Sequence, residues 1–258
     1  MDLGLKDSVV LITGASRGIG RATADLLVGE GCRVAITARD GEVLGRAVEE
    51  LGGGERAVNE TLNRFGRIDV LVTCAGSSVG GLLENLTEEE WLASLNLKFM
   101  GYVRSCRAVL PHMREQGSGN IVLVVGNDGL KPSYWELTAG AANAADINFA
   151  SSLAEQYGPL GIRVNTINPG PVDTDRWDGL EKAFARDKGV DQSTAHGLAV
   201  SSIPLGRICT PEEVANIVAF VASPRASFLN GAHIPVDGGQ RKGLMDVPVD
   251  GRVGAAQG

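Results

Sequence analysis

Short apolar runs rich in β-branched residues alternate with helix-like segments along this chain, and this alternation constrains the fold more strongly than any other feature of the sequence. Continuous apolar strands separated by helices are typical of a parallel sheet that helices cover on both faces. We therefore predict an α/β fold with a doubly wound parallel sheet in one domain. The predicted strands are residues 8–13, 32–37, 68–76, 120–125, 162–168 and 232–239.

The sequence also marks where helices begin. Thr87 and Glu90 have the spacing of a capping box, and the helix that they start can run to about Arg114. Thr210 and Pro211 suit the N-cap and the first position of a later helix. The predicted helices include residues 18–31, 87–114 and 210–223.

The segment between the second and third predicted strands is short. Only 28 residues lie between Arg39 and Ile68, and a strand–helix–strand unit takes about 30 residues, so two complete crossovers do not fit. Residues 47–66 have the pattern of a helix, a glycine turn and a second helix, with Gly52–Gly54 redirecting the chain. We predict a six-stranded sheet that lacks a third strand at its edge.

Composition and charge exclude several classes of function. The chain carries 24 Lys and Arg against 31 Asp and Glu and has no basic run, so nucleic acid and anionic membranes are poor partners. The N-terminus lacks the basic segment of a signal peptide, and no apolar run has transmembrane length. We predict a cytoplasmic protein without a metal site, since its four cysteines are far apart. Residues 1–239 form the predicted domain and residues 240–258 a C-terminal tail.

The segment "TGASRGIG" (13–20) follows a strand and opens a helix. Gly14 suits a tight turn, while Gly18 and Gly20 let a dinucleotide approach the free N–H groups of the helix N-terminus. A glycine motif alone also suits a simple strand-to-helix turn, but its place in the first strand–helix unit favours a nucleotide site. The residues predicted to contact the cofactor here are Gly14, Ser16, Arg17, Gly18, Ile19 and Gly20.

Five further segments, together with "TGASRGIG", resemble the short-chain dehydrogenase/reductase family, in its 3-oxoacyl-carrier-protein-reductase-like group. The similarity covers about residues 5–239. The segments are "TCAG" (73–76), "SLNLKFMGYVRSCRAVLPHM" (94–113), "GIRVNTINPGPVDT" (161–174), "TPEEVANIVAFVAS" (210–223) and "VDGG" (236–239).

This resemblance implies a Rossmann fold, usually with seven parallel strands, a nicotinamide dinucleotide cofactor, a small-molecule substrate and a homo-oligomer, either a dimer or a tetramer. It also implies that residues 176–202 form a mobile substrate lid. The further cofactor contacts that it implies are Ala75, Gly76, Pro169, Gly170, Val172 and Thr174.

The second strand indicates which dinucleotide is preferred. No carboxylate stands at Thr37 or Ala38, where it would bind a ribose 2′-hydroxyl and repel a 2′-phosphate. Arg39 and Arg17 could instead neutralise that phosphate. We expect NADP(H) to be favoured, with NAD(H) possible, although the missing edge strand counts against tight binding.

The residues that the family uses for acid–base chemistry are mostly replaced. The family has a serine, a Tyr-x-x-x-Lys pair and a supporting asparagine. Counting in register places Gly126 at the serine, Ala139 at the tyrosine and Asn143 at the lysine, while Asn96 matches the asparagine. The loss of a general acid typically removes about 10²–10⁴ in rate.

Other groups near the cleft could take over the missing roles. Tyr134 could act if it lies in the loop before its helix, and Asp128 is ionisable and close in sequence to Gly126. Asn143, and also Asn127, could orient a substrate carbonyl by hydrogen bonds. The predicted catalytic candidates are Asn96, Asp128, Tyr134 and Asn143, whereas Lys131, Glu136 and His196 are more simply solvated charges.

Three functions remain open on the sequence. The leading one is an atypical NADP(H)-dependent oxidoreductase of a small carbonyl or alcohol. The second is a catalytically silent dinucleotide-binding or partner subunit. The third is a non-redox lyase, hydratase or isomerase in the same cleft.

Overall fold

The computed structural model describes residues 2–37 and 53–242, which contain a single six-stranded sheet. All the strand pairs are parallel and the strand order is β2-β1-β3-β4-β5-β6. The predicted single-domain, doubly wound α/β fold with six parallel strands is therefore confirmed. The strands are β1 (Val9–Thr13), β2 (Arg33–Thr37), β3 (Val70–Thr73), β4 (Gly119–Val124), β5 (Ile162–Pro169) and β6 (His233–Val236).

Helices cover both faces of the sheet, as the uninterrupted apolar strands require. Alternate residues of β1 point to opposite sides: Val10 and Ile12 join a core with α1 and α8, and Leu11 joins a second core with α2, α4 and α5. The helices are α1 (Gly18–Gly29), α2 (Gly53–Phe65), α3 (Glu88–Leu95), α4 (Gly101–Gln116), α5 (Leu137–Tyr157), α6 (Asp175–Lys188), α7 (Gln192–Ser201) and α8 (Pro211–Ala222).

Two of the predicted helix starts have the expected capping geometry. Thr87 accepts from the backbone N–H of Glu90, whose carboxylate accepts from the backbone of Thr87, and the same capping box joins Thr210 and Glu213. The helix that begins after Thr87 is not uniform, because a π turn over Asn96–Met100 separates α3 from α4. This turn changes which side chains face the sheet.

The short segment before β3 is helical and forms no strand where the structure describes it, but the helix already begins at Gly53, so Gly53 and Gly54 do not form the predicted turn. Residues 53–62 belong to α2, and β2 pairs only with β1 within the described part of the chain. The remainder of the predicted helix–turn–helix, together with Ala38 and Arg39, lies outside the described residues.

The packed structure continues past the predicted domain boundary at residue 239. Gln240 and Lys242 are buried, and Lys131 Nζ donates to Asp237 over 2.5 Å and to the carbonyl of Gln240 over 2.9 Å. Residues 243–258 lie outside the described residues. Over the residues that are described, no helix combines the length and apolar character needed to cross a membrane.

Candidate active site

The loop after β1 approaches the loop after β3 closely at the carboxyl edge of the sheet. Gly14 has φ +72°, and its N–H donates to the carbonyl of Thr37 over 2.8 Å. A Cβ at Gly14 would lie 2.5 Å from the backbone nitrogen of Ala75, so a larger residue would push the two loops apart. The predicted contacts at Gly14 and Ala75 are thus neighbours.

The N-terminus of α1 is open toward this edge. Arg17 precedes the helix in extended conformation, and no side chain caps the N-terminus. Gly18 has φ +57°, and a Cβ there would lie 3.3 Å from Thr174 Cγ2, while a Cβ at Gly20 would lie 2.4 Å from the carbonyl oxygen of Gly14. A side-chain-free helix N-terminus at the carboxyl ends of parallel strands suits a pyrophosphate, so these residues fit a dinucleotide.

Arg17 is one of the two arginines expected at a 2′-phosphate. Its guanidinium is exposed and lies 3.9 Å from Asp175, a surface pair of the kind that contributes about 0–1 kcal/mol. The Arg17 side chain therefore loses little if it turns to another anion. Arg39 lies outside the described residues.

The "NPGPVDT" bend leads from β5 into α6. Pro169 ends β5, Val172 forms an isolated bridge with Cys209, and a Cβ at Gly170 would lie 3.0 Å from Asp237 Cβ. The Thr174 hydroxyl caps α6 by accepting from the N–H of Trp177 over 3.3 Å. A contact from Thr174 to a nicotinamide carboxamide stays a prediction.

An aspartate–asparagine pair stands beside the position that matches the family's serine. Asn143 Nδ2 donates to Asp128 Oδ1, and both side chains are buried. A Cβ at Gly126 would lie 2.5 Å from Asn143 Nδ2 and 2.6 Å from Asp128 Oδ1. Two of the predicted catalytic candidates, Asp128 and Asn143, therefore meet in the space next to Gly126.

A catalytic role for Asn96 stays a prediction, and the structure places its side chain at the surface. Its side chain is exposed, and its Oδ1 accepts from Arg104 Nη2 over 2.6 Å on the outer surface. A π turn starts at Asn96, and it adds a residue to the turn and changes which side chains face inward. Lys98, two residues later, is buried in its place, with only 5% of its surface exposed.

Lys98 lies along the end of β3. Its Cγ and Cε are 3.4 and 3.5 Å from where a Cβ of Gly76 would be. Burial lowers the pKa of the Lys98 ammonium from 10.5 to about 8, against the opposing attraction of Asp128, Asp146 and Glu136; the nearby Arg176 lowers it further. Lys98 can therefore exchange a proton near neutral pH.

Asp146 lies on α5, one turn beyond Asn143, and none of its surface is exposed. Neither carboxylate oxygen has a hydrogen-bond partner among the described residues. Burial raises the pKa of Asp146 from 3.8 to about 8, and the charge of Lys98 opposes this rise. Asp146 is mainly a neutral acid at pH 7, beneath the same cleft.

Arg176 connects the start of α6 to the end of β3. Its Nη1 donates to the carbonyl of Gly76 and its Nη2 to Ser78 Oγ, each over 2.8 Å. Burial lowers the pKa of this guanidinium. Arg176 thus closes one side of the cleft that Lys98 lines.

The remaining sequence-predicted groups are engaged elsewhere. Tyr134 does lie in the loop before α5, but Lys188 Nζ is 4.8 Å from its ring centroid and it packs with the cluster formed by Trp135, Phe184, Ala185 and Ala195 (the lid cluster). The structure therefore does not bring Tyr134 to Asp128. Asn127 instead donates to Gln240 and Asp237, and the other pairs are Glu136 with Lys242, Lys131 with Asp237 and His196 with Glu181.

A small, mostly apolar pocket opens between the start of α5 and the two helices α6 and α7, within the predicted lid. Trp135 anchors it by donating from Nε1 to Asp187 over 2.9 Å, whereas the buried Nε1 of Trp177 has no partner among the described residues. The pocket is lined by Ser133, Trp135, Glu136, Trp177, Leu180, Glu181, Phe184, Ala195 and Ala199.

Sequence reasoning missed Lys98, Asp146 and Arg176. One signal was present: Lys98 is the only charged residue in "LNLKFMG", a segment of a helix that must pack on the sheet. A charged residue in such a run needs an explanation other than packing. Nothing comparable marked Asp146 or Arg176.

Comparisons with known proteins agree with this architecture. The short chain dehydrogenase family profile matches residues 8–184. The chain is 37% identical to the short-chain reductase protein NovJ of Streptomyces niveus, over 91% of this chain and 94% of that protein. It is 33% identical to the 3-oxoacyl-(acyl-carrier-protein) reductase FabG of Vibrio cholerae, over 92% of this chain and 98% of that protein.

A solved structure is also similar along nearly the whole chain. L-sorbose reductase from Gluconobacter frateurii, solved in complex with NADPH and L-sorbose, superposes with a TM-score of 0.84 at 30% identity. The similarity covers 93% of this chain and 98% of that one.

Proposed function

Because this chain belongs to the short-chain dehydrogenase/reductase family and is an oxidoreductase of that type, we propose that it reduces a small carbonyl compound, or oxidises the corresponding alcohol, with NADP(H). We further propose that it does so without the tyrosine–lysine pair of the family, since Ala139 and Asn143 stand at those positions.

One observation carries the proposal: the cofactor loop keeps its cradle although the acid–base residues are gone. The close approach of Gly14 to Ala75, and of Gly20 to Gly14, leaves the N-terminus of α1 free of side chains. A single methyl group on either glycine would break these two contacts. A chain that binds no dinucleotide would not require them.

The preference for NADP(H) rests on charge. Arg17 is exposed beside the open N-terminus of α1, and Arg39 follows β2 without an acidic neighbour at Thr37 or Ala38. The relative crystallised with NADPH and L-sorbose supports the same cofactor and a small carbonyl substrate.

Each part of this chain has a role in the proposed reaction. When bound, the reduced cofactor supplies a hydride to the carbonyl carbon. Residues Gly14–Gly20 hold the phosphates of the cofactor, and Arg176 fixes the Gly76 carbonyl at the edge of the site. The pocket around Trp177, within the predicted lid, encloses the substrate. The Asp128–Asn143 pair stands beside Gly126.

The test combines binding and turnover in the purified protein. Fluorescence titration should give a lower Kd for NADPH than for NADH. A panel of L-sorbose, 2,3-butanedione and an acetoacetyl thioester should then include at least one compound that consumes NADPH. Tighter binding of NADH would overturn the cofactor assignment, and NADPH binding without consumption would favour the silent subunit.

Two further assignments accompany the proposal. We propose that the protein is a homo-oligomer, either a dimer or a tetramer, and that it is cytoplasmic. Light scattering on the purified protein measures the oligomeric state. A protein that binds neither dinucleotide would instead favour a lyase, hydratase or isomerase in the same cleft.

A further inference from the structure

Lys98 occupies a position where a lysine is costly. It is 5% exposed, and it makes no hydrogen bond or ion pair with any of the described residues. A buried charge without partners is strongly unfavourable, so it persists where it has a use that a neutral residue cannot supply. Its stem contacts Gly76 in the loop after β3, at the carboxyl edge of the sheet, where ligands of such folds bind.

We propose that Lys98 is the proton-transferring residue of this cleft, donating a proton from Nζ to the substrate carbonyl oxygen during reduction. This inference rests on the proposed function and names the group that does the work of the missing tyrosine. In the oxidation direction the neutral amine of Lys98 accepts the alcohol proton.

The position of Lys98 relative to the replaced residues supports this role. Its stem packs against Gly76, whose carbonyl accepts from Arg176, so the Lys98 side chain lies beside the loop that follows β3. Asp128, which follows β4 and accepts from Asn143, is the strongest attractive charge acting on Lys98. The Asp128–Asn143 pair beside Gly126 is therefore also close enough to attract the Lys98 ammonium.

The other acids of the cleft are poorer donors. Tyr102 is buried on α4, and its hydroxyl already donates to the carbonyl of Val124 over 2.6 Å. Burial raises the pKa of Tyr102 well above 10. Glu136 pairs with Lys242, and Asp128 accepts from Asn143. Lys98 keeps its three N–H bonds free of described partners.

The proton balance of the proposed step is simple. The C=O π bond breaks, the carbon gains a hydride and the oxygen gains a proton from Lys98, which becomes a neutral amine. Water then returns a proton to Lys98. Asp146, which is mainly neutral near pH 7, adds little negative charge near Lys98. A group whose pKa lies near the working pH is best suited to such exchange.

Direct titration tests the proposal without any substrate. In protein labelled with ¹³Cε-lysine, one NMR signal should titrate with a midpoint near 8, and Lys98→Met should remove that signal. Asp128→Asn should lower the midpoint because it removes an attractive charge, and Arg176→Gln should raise it because it removes a repulsive one. A Lys98 midpoint near 10.5 would overturn the proposal.

Kinetics provide the second readout. With a carbonyl that the wild type reduces, kcat should fall as pH rises through about 8, and Lys98→Met should lower kcat by about 10²–10⁴ with the Kd for NADPH unchanged. Lys98→Arg is the alternative variant if Lys98→Met fails to fold. It keeps a cation that does not deprotonate near neutral pH, so it should show the same loss of kcat. Lys6→Met, at an exposed lysine outside the cleft, is the matched control and should keep wild-type rates.

The outcomes separate the two proposals. If the wild type reduces a carbonyl and both Lys98 variants fold and reduce it equally well, with the same pH profile, Lys98 is not the donor and only this inference fails. If the wild type reduces no carbonyl, the proposed function fails and this inference fails with it.

Discussion

The side-chain amide of Asn143 donates to Asp128 directly in front of Gly126, so an aspartate–asparagine pair fills the space that a serine side chain would need at that position. Residues 126, 128 and 143 therefore form one local arrangement, in which the absence of a side chain at Gly126 makes room for the Asp128–Asn143 pair.

Gly126→Ser alone should destabilise the protein. The new Cβ would lie 2.5 Å from Asn143 Nδ2 and 2.6 Å from Asp128 Oδ1, and overpacking of this kind costs about 1–3 kcal/mol. Gly126 has φ −178°, so backbone strain adds nothing. Thermal denaturation should show a lower Tm. Asp128→Ala in the same chain should restore only part of the loss, because the closer contact with Asn143 Nδ2 remains. Gly140→Ser, whose Cβ would lie 3.4 Å from its nearest neighbour, should be tolerated. A Gly126→Ser protein as stable as wild type would show that the pair moves freely.

Two glycines of α1 should respond in opposite ways to alanine. A Cβ at Gly20 would lie 2.4 Å from the Gly14 carbonyl, so Gly20→Ala should lower the Tm by about 5 °C and weaken dinucleotide binding. Gly29 has no neighbour within 4 Å, so Gly29→Ala should raise stability slightly through its better helix propensity. Equal effects of the two substitutions would contradict the packing described for the cofactor loop.

Asp146 should make stability depend on pH. Because burial raises the pKa of Asp146 from 3.8 to about 8, the folded state keeps a proton that the unfolded chain loses. Its contribution is therefore fully favourable below about pH 4 and falls as pH rises toward 8. Asp146→Asn should reduce the loss of Tm between pH 5 and 8 by on the order of 5 °C. Asp25→Asn, at an exposed carboxylate on α1, is the control and should leave the dependence of Tm on pH unchanged. If the Tm of the wild type did not change between pH 5 and 8, Asp146 would not be held neutral.

Arg17 and Arg21 offer a matched pair on the cofactor side. Arg17→Ala should weaken NADPH binding by about tenfold and leave NADH almost unchanged, because it removes a charge-assisted contact to the 2′-phosphate. Arg21 already pairs with Asp25 over 2.9 Å, so Arg21→Ala should have little effect on either dinucleotide. Arg39→Asp should shift the preference toward NADH. Isothermal titration calorimetry measures all three, and a loss of NADH affinity equal to that of NADPH would point to the shared pyrophosphate instead.

Much of the fold was predictable, because its signals are local. The apolar runs gave the six strands, the threonine–glutamate spacings gave two helix starts, and the 28 residues between Arg39 and Ile68 left no room for a seventh strand within one crossover. The glycines of "TGASRGIG" were also assigned correctly to a strand-to-helix turn, since positive φ at Gly14 and Gly18 is a local property.

The catalytic side of the cleft was less predictable because it depends on helix phase. A single π turn at Asn96–Met100 moves Asn96 outside and Lys98 inside, and nothing in the sequence fixes where such a turn forms. Arg176 and Gly76 meet only through the tertiary fold, 100 positions apart. The burial of Asp146 likewise follows from the packing of α5 on the sheet.

The most direct test of the central claim is the transfer of the cofactor's hydrogen to a product. The protein is incubated with NADPH deuterated at both C4 positions and a carbonyl from the panel, and the product is analysed by mass spectrometry. The account predicts one deuterium at the new carbinol carbon for the wild type, and far less product for Lys98→Met at the same occupancy of NADPH. Saturation with NADPH and no deuterated product from any carbonyl would contradict it.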